Sequence, residues 1–301
     1  MRIGLIVQLH GSPGGSPPAP TWESIHRLAA TAEVVGFDSF VFEDALLYRG
    51  SEVTDGVWES VAVAGAVAAV TSRIEFGQSV INAPYRSPAL TAKIAETLDE
   101  ISGGRYILGI GAGNTADSDY EAFGFPTDRR FSRFAEAIEI IHGLLKGGKV
   151  DFEGAFHSAR ASELVLRGPR PQGPPIVIAA GGPKMLRLAA RYGDAWNWWT
   201  ADIATAEETL GPIVAELNGA CEEVGRDPST LRRTVDVYSV DPSGGGGEAI
   251  GKLLTGTTAV IAETLLGLGV LGFDEVRCDV VPNTAAAVEA MADVVSRVQA
   301  G

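Results

Sequence analysis

Residues 103–115 read GGRYILGIGAGNT, an apolar run that ends in glycines at alternate positions, Gly109, Gly111 and Gly113. This pattern predicts a buried strand that ends in bare backbone. A dinucleotide-binding loop also places glycines after a strand, but it requires a helix to begin at once, so that the helix N-terminus meets the pyrophosphate. Residues 114–127 are polar and acidic instead, and the next N-cap residue before an apolar stripe is Asp128. The dinucleotide loop is therefore disfavoured.

The composition predicts a cytoplasmic globular protein that binds neither nucleic acid nor membrane. The chain has 301 residues and 46% of them are hydrophobic, but no apolar run reaches the roughly 20 residues that cross a bilayer. The N-terminal run MRIGLIVQLHG lacks the cleavage site of a secretory signal. Two cysteines cannot form a disulfide framework, and with the four histidines they show no metal-ligand spacing. A net charge of -14 disfavours nucleic acid, which binds clustered Lys and Arg.

Eight apolar or β-branched runs predict strands near residues 3, 39, 74, 106, 176, 195, 235 and 275. Between them, apolar residues recur every three or four positions and predict amphipathic helices, for example over 22–32, 90–101, 131–145 and 288–298. Capping signals place helix starts at Thr21, Ser87, Asp128 and Asn283. Alternation of strands and helices over this length predicts an α/β fold, the (β/α)8 TIM barrel, and a doubly wound sheet is the alternative.

One connection between predicted strands is longer than the others. It joins strands 4 and 5, and its excess, about residues 147–174, predicts a β-hairpin insertion with a proline-rich return. No linker divides the chain, so a single TIM-barrel domain over 1–301 is expected. The run PSGGGGEA at 242–249 is expected to form a mobile loop after strand 7.

Glycines at the carboxyl ends of strands mark possible ligand sites, because these ends form the active-site rim of a barrel. Close packing of strands is the alternative reason for glycines after strand 4. After strand 5, the run AAGGP places Gly181 and Gly182 before a helix that starts near Pro183. The free N–H groups and the dipole of a helix N-terminus favour an anion, while a plain tight turn is the alternative.

Four segments resemble the luciferase-like monooxygenase family, the (β/α)8 flavin- and deazaflavin-dependent oxidoreductases. They are GFDSFVFED at 36–44, SVINAPYRSPALTAKIAETLDEISGGRYILGIGAGN at 79–114, YEAFGFP at 120–126 and IVIAAGGPKMLRLAARYGDAWN at 176–197. The resemblance implies that the GGP run holds the coenzyme phosphate and that a cis peptide bond at Ser79–Val80 backs the coenzyme ring. It implies catalytic roles for Asp44 and Asn114, and a coenzyme site of Asp44, Ser79, Val80, Gly113, Asn114, Ala180, Gly181, Gly182 and Thr200.

The GGP run and the helix sequence after it resemble the deazaflavin branch of the family, which uses coenzyme F420, and FMN is the alternative coenzyme. The chain departs from the sugar-phosphate dehydrogenases of that branch at two positions. Ala45 stands where they have a histidine, and Asn114 stands where they have a glutamate. Neither residue can act as the same general acid or base, so that dehydrogenase activity is not expected.

The resemblance implies hydride transfer between F420 and a small organic substrate, in a protein that is expected to be a homodimer. Two alternatives remain: an FMN-dependent monooxygenase that uses dioxygen and a flavin reductase partner, and a non-catalytic coenzyme-binding protein. His10, at the end of strand 1, is either a proton donor that faces the pocket or an ordinary loop histidine. The pocket itself is expected to be apolar, with five aromatic residues near strand ends, Phe42, Tyr48, Trp196, Trp198 and Trp199. Packing in the barrel core or against helices is the alternative role, above all for the alternating tryptophans.

Overall fold

The computed structural model of the chain describes residues 1–11, 18–49, 54–113, 119–244, 246 and 251–301. Eight parallel strands form a closed barrel: β1 (Arg2–Val7), β2 (Ser39–Phe42), β3 (Glu75–Gln78), β4 (Tyr106–Gly111), β5 (Ile176–Ala179), β6 (Ala195–Thr200), β7 (Arg232–Asp241) and β8 (Glu275–Val280). Each strand pairs with the next one in the chain, and β8 pairs with β1 to close the ring. The predicted strands and the TIM barrel are confirmed, and the doubly wound sheet is wrong.

Helices surround the barrel: α1 (Trp22–Val35), α2 (Ser60–Val70), α3 (Pro88–Ser102), α4 (Asp119–Phe123), α5 (Arg130–Gly147), α6 (Pro183–Tyr192), α7 (Ala206–Glu223), α8 (Thr258–Val270), α9 (Ala285–Ala290) and α10 (Ala292–Ala300). Thr21 and Ser87 cap α1 and α3 with their side chains, as predicted. The other two predicted caps are one residue too early, because Thr284 caps α9 and Asp128 instead forms an ion pair with Arg133. Across the described ranges, no helix is long and apolar enough to span a bilayer.

Short strands lie in four of the connections. Ile81–Asn82, after β3, pairs with β4, and Leu254–Thr255 pairs with β7. An antiparallel pair, Leu47–Arg49 and Thr54–Gly56, follows β2, and another, Lys149–Glu153 and Ser158–Glu163, follows α5. The second hairpin lies within the segment predicted as an insertion, and Glu136 of α5 accepts backbone N–H bonds from the three residues at its turn, 155–157. The single domain stays a prediction. Of the predicted mobile loop, residues 245 and 247–249 lie outside the described part of the chain.

Alternate residues of the barrel strands face the helices or the barrel interior. The outward residues form the apolar core, which includes Phe40, Phe76 and Trp196. The interior contains charged residues instead, and Glu275 accepts hydrogen bonds there from Ser39 Oγ (2.5 Å) and Arg277 Nε (3.2 Å). Burial alone would raise the pKa of Glu275, but the positive charges of Arg277 and Arg2 outweigh it and hold that pKa below its ordinary value.

The glycines of β4 make room for the chain that leaves β3. Between the pairs Gly77–Ile107 and Ile81–Ile110 the chain after β3 has one residue more than β4, which is a β-bulge. A Cβ on Gly109 would overlap the carbonyl oxygen of Gln78, and a Cβ on Gly111 would lie 2.9 Å from Val80 Cγ2. The two glycines therefore allow the bulge to lie against β4, which is the close packing of strands that the sequence left open.

We expect Gly109→Ala to lower the free energy of unfolding by about 3 kcal/mol or more, because the added methyl group meets backbone that cannot move aside without breaking the barrel. Gly219→Ala is the matched control, since Gly219 lies in α7 and an added Cβ there meets no atom within 4 Å. That variant should gain about 0.5–1 kcal/mol from the better helix propensity of alanine. Urea unfolding followed by circular dichroism measures both, and equal stability of Gly109→Ala and the parent would contradict the packing argument.

Candidate active site

The bulge after β3 carries the predicted cis peptide bond, between Ser79 and Val80. It lies at the carboxyl ends of the strands, where TIM barrels hold their active sites. The amide of Ser79 still donates to the carbonyl of Phe42 on β2 (2.9 Å), and the side chain of Val80 lies against the glycines of β4. The bulge thus fills the side of the barrel mouth above β3 and β4.

A buried polar network inside the barrel holds the side chain of Ser79. Its hydroxyl donates to Asp236 Oδ2 (2.8 Å) and lies 3.3 Å from Asn197 Nδ2 and 3.4 Å from Arg277 Nη1. Asn197 also donates to Asp236 Oδ2 (3.2 Å) and accepts from Thr234 (2.7 Å), which fixes the orientation of its amide. Burial raises the pKa of Asp236 although Arg277 opposes it, and Asp236 Oδ1 has no hydrogen-bond partner among the described residues. The position of the Ser79 side chain beneath the mouth is therefore fixed by contacts with residues of β6, β7 and β8.

The N-terminus of α6 provides a place for an anion. Gly182 is its N-cap, with a φ of 74°, and Pro183 is its first residue. No side chain caps this helix, so its first N–H groups lack acceptors within the helix. A Cβ on Gly182 would meet no atom within 4 Å, whereas a Cβ on Gly181 would overlap the ring of Trp198. The space beside Gly182 is open, and the contact of Gly181 with Trp198 keeps the turn close to β6.

Two cations flank this helix terminus. Arg130 begins α5 and donates through Nη1 to the carbonyl of Gly113 (2.7 Å), at the end of the β4 glycine run. Lys184, in the first turn of α6, lies with Nζ 5.6 Å from the ring centroid of Phe131. Both side chains belong to exposed residues. We call Arg130, Lys184 and the N-terminus of α6 the cationic side of the mouth.

Both oxygens of the Asp44 carboxylate accept hydrogen bonds from residues of neighbouring loops. Oδ1 accepts from Ser60 Oγ (2.6 Å) and Arg86 Nη2 (2.9 Å), and Oδ2 accepts from the Asn82 amide (2.9 Å) and Arg86 Nη1 (2.7 Å). Arg86 also forms an ion pair with Glu59. Burial would lower the pKa of Arg86, but its bonds and charge pairing with the two carboxylates raise it. Asp44 joins the loops that follow β2 and β3, and its predicted role in coenzyme binding and catalysis stays a prediction.

The other predicted site residues have mixed positions. Asn114 lies outside the described residues. Gly113 has a φ of 78°, and a Cβ on it would overlap the hydroxyl oxygen of Tyr120. The carbonyl of Ala180 accepts from Trp196 Nε1 (2.8 Å), and Thr200 Oγ1 closes a turn with the backbone of Asp202. The structure brings Ser79, Val80, Gly113, Ala180, Gly181, Gly182 and Thr200 to the same end of the barrel, and their ligand contacts stay predictions.

The five aromatic residues expected near an apolar pocket divide between the core and the mouth. Phe42 and Trp196 are fully buried in the core between barrel and helices. Trp198 faces the same way and stacks on Trp196, with ring centroids 6.3 Å apart. The alternation of a strand explains this, since Asn197 between the two tryptophans faces the interior. Only Trp199, 50% exposed, and Tyr48, 38% exposed, remain near the mouth.

Acidic residues that the sequence reading missed lie across the mouth from α6. Glu43 follows β2; its Oε2 accepts from Tyr48 (2.5 Å) and its Oε1 from the Leu9 amide (3.0 Å). His10 Nε2 lies 3.6 Å from the same Oε1, so His10 adjoins the mouth beside a carboxylate. On β8, Asp279 Oδ2 accepts from Gln8 Nε2 (3.1 Å). We call Glu43 and Asp279, with their neighbours, the acidic side of the mouth.

Asp279 is 1% exposed, and its Oδ1 has no hydrogen-bond partner among the described residues. Burial raises its pKa to about 6, the negative charge of Glu43 adds to this, and the Gln8 hydrogen bond and His10 oppose it. Burial also raises the pKa of Tyr238, with Asp236, Asp279 and Glu43 as the nearby charges. The alternating charges of β8, in EVRCDV, were the sequence signal for this interior cluster. In the described part of the chain, no three His, Cys, Asp or Glu side chains could hold a metal ion.

Comparison with known proteins supports the expected family. A family profile described as luciferase-like monooxygenase matches residues 1–240. A 5,10-methylenetetrahydromethanopterin reductase of Archaeoglobus fulgidus is 43% identical over 124 residues, which are 41% of this chain and 36% of that protein. An F420-dependent glucose-6-phosphate dehydrogenase of Kineococcus radiotolerans is 33% identical over 250 residues, 79% of this chain and 72% of the relative. The structure of an F420-dependent secondary alcohol dehydrogenase shares the fold, with a TM-score of 0.81, 18% identity and coverage of 99% and 98%.

We expect Asp279→Asn to be more stable than the parent at pH 8, by on the order of 2–3 kcal/mol, since it removes a buried charge and keeps an acceptor for Gln8. The folded-state pKa of Asp279, about 6, lies above its unfolded value of 3.8. The parent therefore loses stability as the pH rises from about 4 to about 6, and the difference between the two proteins closes below pH 4.

Asp227→Asn is the control, for which we expect the opposite change in the free energy of unfolding. Hydrogen bonds from Ser229 lower the pKa of the exposed Asp227, so this carboxylate contributes stability at neutral pH and loses it as the pH falls. Asp227→Asn should thus be less stable than the parent at pH 8. Urea unfolding between pH 4 and pH 8 measures both differences. Parallel stability curves for Asp279→Asn and the parent would show that Asp279 titrates normally.

Proposed function

The chain belongs to the luciferase-like monooxygenase family, and from this premise we propose that it is an oxidoreductase that transfers a hydride between coenzyme F420 and a small organic substrate. The observation that carries the proposal is the arrangement of the mouth. An open anion site at Gly182 and the bulge at Ser79–Val80 lie at the same end of the barrel, on neighbouring parts of its rim. Relatives that are F420-dependent by name support the choice of coenzyme.

In the proposed complex the coenzyme phosphate binds at the N-terminus of α6, and the ring lies against the bulge. The backbone N–H groups of the helix and its dipole favour the phosphate without a charged side chain. F420 carries carboxylates in addition to its phosphate, and the exposed Arg130 and Lys184 are placed to attract them. FMN lacks those carboxylates, so the cationic side of the mouth favours F420.

The bound deazaflavin supplies the hydride acceptor or donor. The chain supplies position and charge. Ser79, held by Asp236 and Asn197, keeps the surface under the coenzyme fixed, because each of its hydrogen-bond partners is buried in the barrel. Trp199 and Tyr48 offer aromatic surface to a substrate near the opening. Proton exchange with the substrate falls to the ionisable groups across the mouth, His10, Glu43 and Asp279.

The same fold accommodates the alternatives. An FMN-dependent monooxygenase would need dioxygen and a flavin reductase partner, and a coenzyme-binding protein without turnover would need neither. The proposal also includes a single domain, a homodimer and a cytoplasmic location. The fold alone does not choose among these chemistries, so the coenzyme must be identified by binding.

We expect the purified protein to bind F420 more tightly than FMN in parallel fluorescence titrations. Gly182→Val should weaken F420 binding about 30-fold, equivalent to roughly 2 kcal/mol, because the branched side chain enters the phosphate space and disfavours the positive φ. Gly225→Val is the matched control. Gly225 has a φ of 75°, a Cβ there would also meet no atom within 4 Å, and it follows α7 at the opposite end of the barrel.

Both valine variants should lose similar stability, and only Gly182→Val should lose affinity. Tighter binding of FMN than of F420 by the parent would overturn the choice of coenzyme. Equal coenzyme affinity of Gly182→Val and Gly225→Val would contradict the proposal that the coenzyme phosphate binds at the N-terminus of α6. If no compound in a broad panel of alcohols and carbonyls reduces or oxidises bound F420, the non-catalytic alternative is favoured.

A further inference from the structure

The mouth of the barrel has two sides of opposite charge, and from this we propose that its substrate is uncharged or cationic and that Glu43 and Asp279 exclude anionic substrates. The inference rests on the proposed function, because it assigns the cationic side to the coenzyme. It concerns the substrate class, which neither the fold nor the family determines.

The geometry of the ring of strands separates the two sides. Strand β5, which leads into α6, lies four strands away from β1 in the closed ring of eight. The anion site at Gly182 therefore faces the ends of β8, β1 and β2 across the mouth. A coenzyme with its phosphate at α6 and its ring against the bulge after β3 would leave the ends of β8, β1 and β2 open, and the substrate would bind on that side.

The side that remains for the substrate contains carboxylates at the ends of two of its strands. The loops that follow β8 and β1, residues 281–284 and 8–21, contain no Lys or Arg in the sequence. Glu43 and Asp279 lie at the ends of β2 and β8. The loops after β2 and β3 contain two arginines. The guanidinium of Arg86 is paired with Asp44 and Glu59, and Arg49 is exposed on the short strand Leu47–Arg49. An anionic substrate on this side would approach the partly exposed carboxylate of Glu43, with the buried charge of Asp279 behind it.

The partial burial of the mouth strengthens the exclusion of anionic substrates. Charges in a partly buried mouth are screened less by water and salt than charges on an open surface. The other ionisable groups that face Asp279 are Glu43, His10 and Tyr238, with Asp236 deeper in the barrel. Among these, only His10 can carry a positive charge, and it lies beside Glu43. A hydroxyl or ammonium group can donate a hydrogen bond to the partly exposed carboxylate of Glu43, while ionised phosphate and carboxylate groups cannot.

Trp199 reports the charge of the mouth without any coenzyme. It is 50% exposed and contacts Tyr238, with ring centroids 6.0 Å apart. Trp22 and Trp58 are the other exposed tryptophans. Their replacement by phenylalanine leaves Trp199 as the exposed tryptophan, beside the partly buried Trp198 and the fully buried Trp196. We expect caesium ions to quench the tryptophan fluorescence of the Trp22→Phe/Trp58→Phe variant at least twofold more effectively than iodide does. Each quencher is normalised to its effect on free tryptophan amide at equal ionic strength.

Glu43→Gln combined with Asp279→Asn should at least halve the preference for caesium at pH 8. Glu100→Gln combined with Glu222→Gln removes two charges at the other end of the barrel, where both exposed residues end their helices, and should leave the preference unchanged. Equal or better quenching by iodide, or an equal effect of the two double variants, would overturn the inference.

Glucose 6-phosphate is the anionic probe for the F420-loaded protein. We expect it neither to bleach the F420 absorbance nor to bind more tightly than glucose, and the Glu43→Gln/Asp279→Asn variant should bind it better than the parent does. Bleaching by glucose 6-phosphate, or tighter binding of it than of glucose by the parent, would overturn the proposal. If F420 does not bind at all, the proposed function fails, and the quenching measurement still decides the charge of the mouth.

Discussion

The close contact of the β3 bulge with the glycines of β4 determines the shape of the barrel mouth. Gly109 and Gly111 present only backbone, so the bulge can lie where side chains of β4 would otherwise stand. This placement puts Ser79 over the barrel interior, within reach of Asp236 and Asn197. The shape of the mouth, the hydrogen bonds of Ser79 beneath it and the proposed coenzyme surface all depend on the absence of a Cβ at Gly109 and Gly111.

The interior of this barrel is charged, and its charges differ in how well they are compensated. Near the amino ends of the strands, Glu275 contacts Arg277 and Ser39 and is held ionised by them. Toward the carboxyl ends, Asp236 and Asp279 each keep one oxygen without a hydrogen-bond partner in the described structure. Burying an ionised carboxylate without a partner is costly, so the pKa rises instead. The Glu275–Arg277 ion pair therefore lies near the amino ends of the strands, and the two incompletely hydrogen-bonded carboxylates lie nearer to the mouth.

The sequence predicts the backbone of this protein better than its side-chain environments. Strand positions, the TIM barrel and the glycine N-cap of α6 follow from local periodicity and from residues that tolerate few conformations. The direction of Trp196 depends on strand register, and the partner of Asp44 depends on a contact with Arg86, 42 residues away in sequence. Glu43 and Asp279 come together only when β8 and β2 flank β1 in the closed ring. Such contacts depend on tertiary geometry, which no single segment encodes.

The pairing of Asp44 with Arg86 has a consequence for engineering this mouth. It ties the loop after β2 to the loop after β3 through two parallel hydrogen bonds, and Ser60 and Glu59 extend the connection to the start of α2. The two loops therefore form one module in a fold whose loops are usually exchanged singly. A graft that replaces one of them without the other separates a buried carboxylate from the arginine with which it pairs, so loop libraries for new substrates should transfer residues 43–60 and 79–87 together.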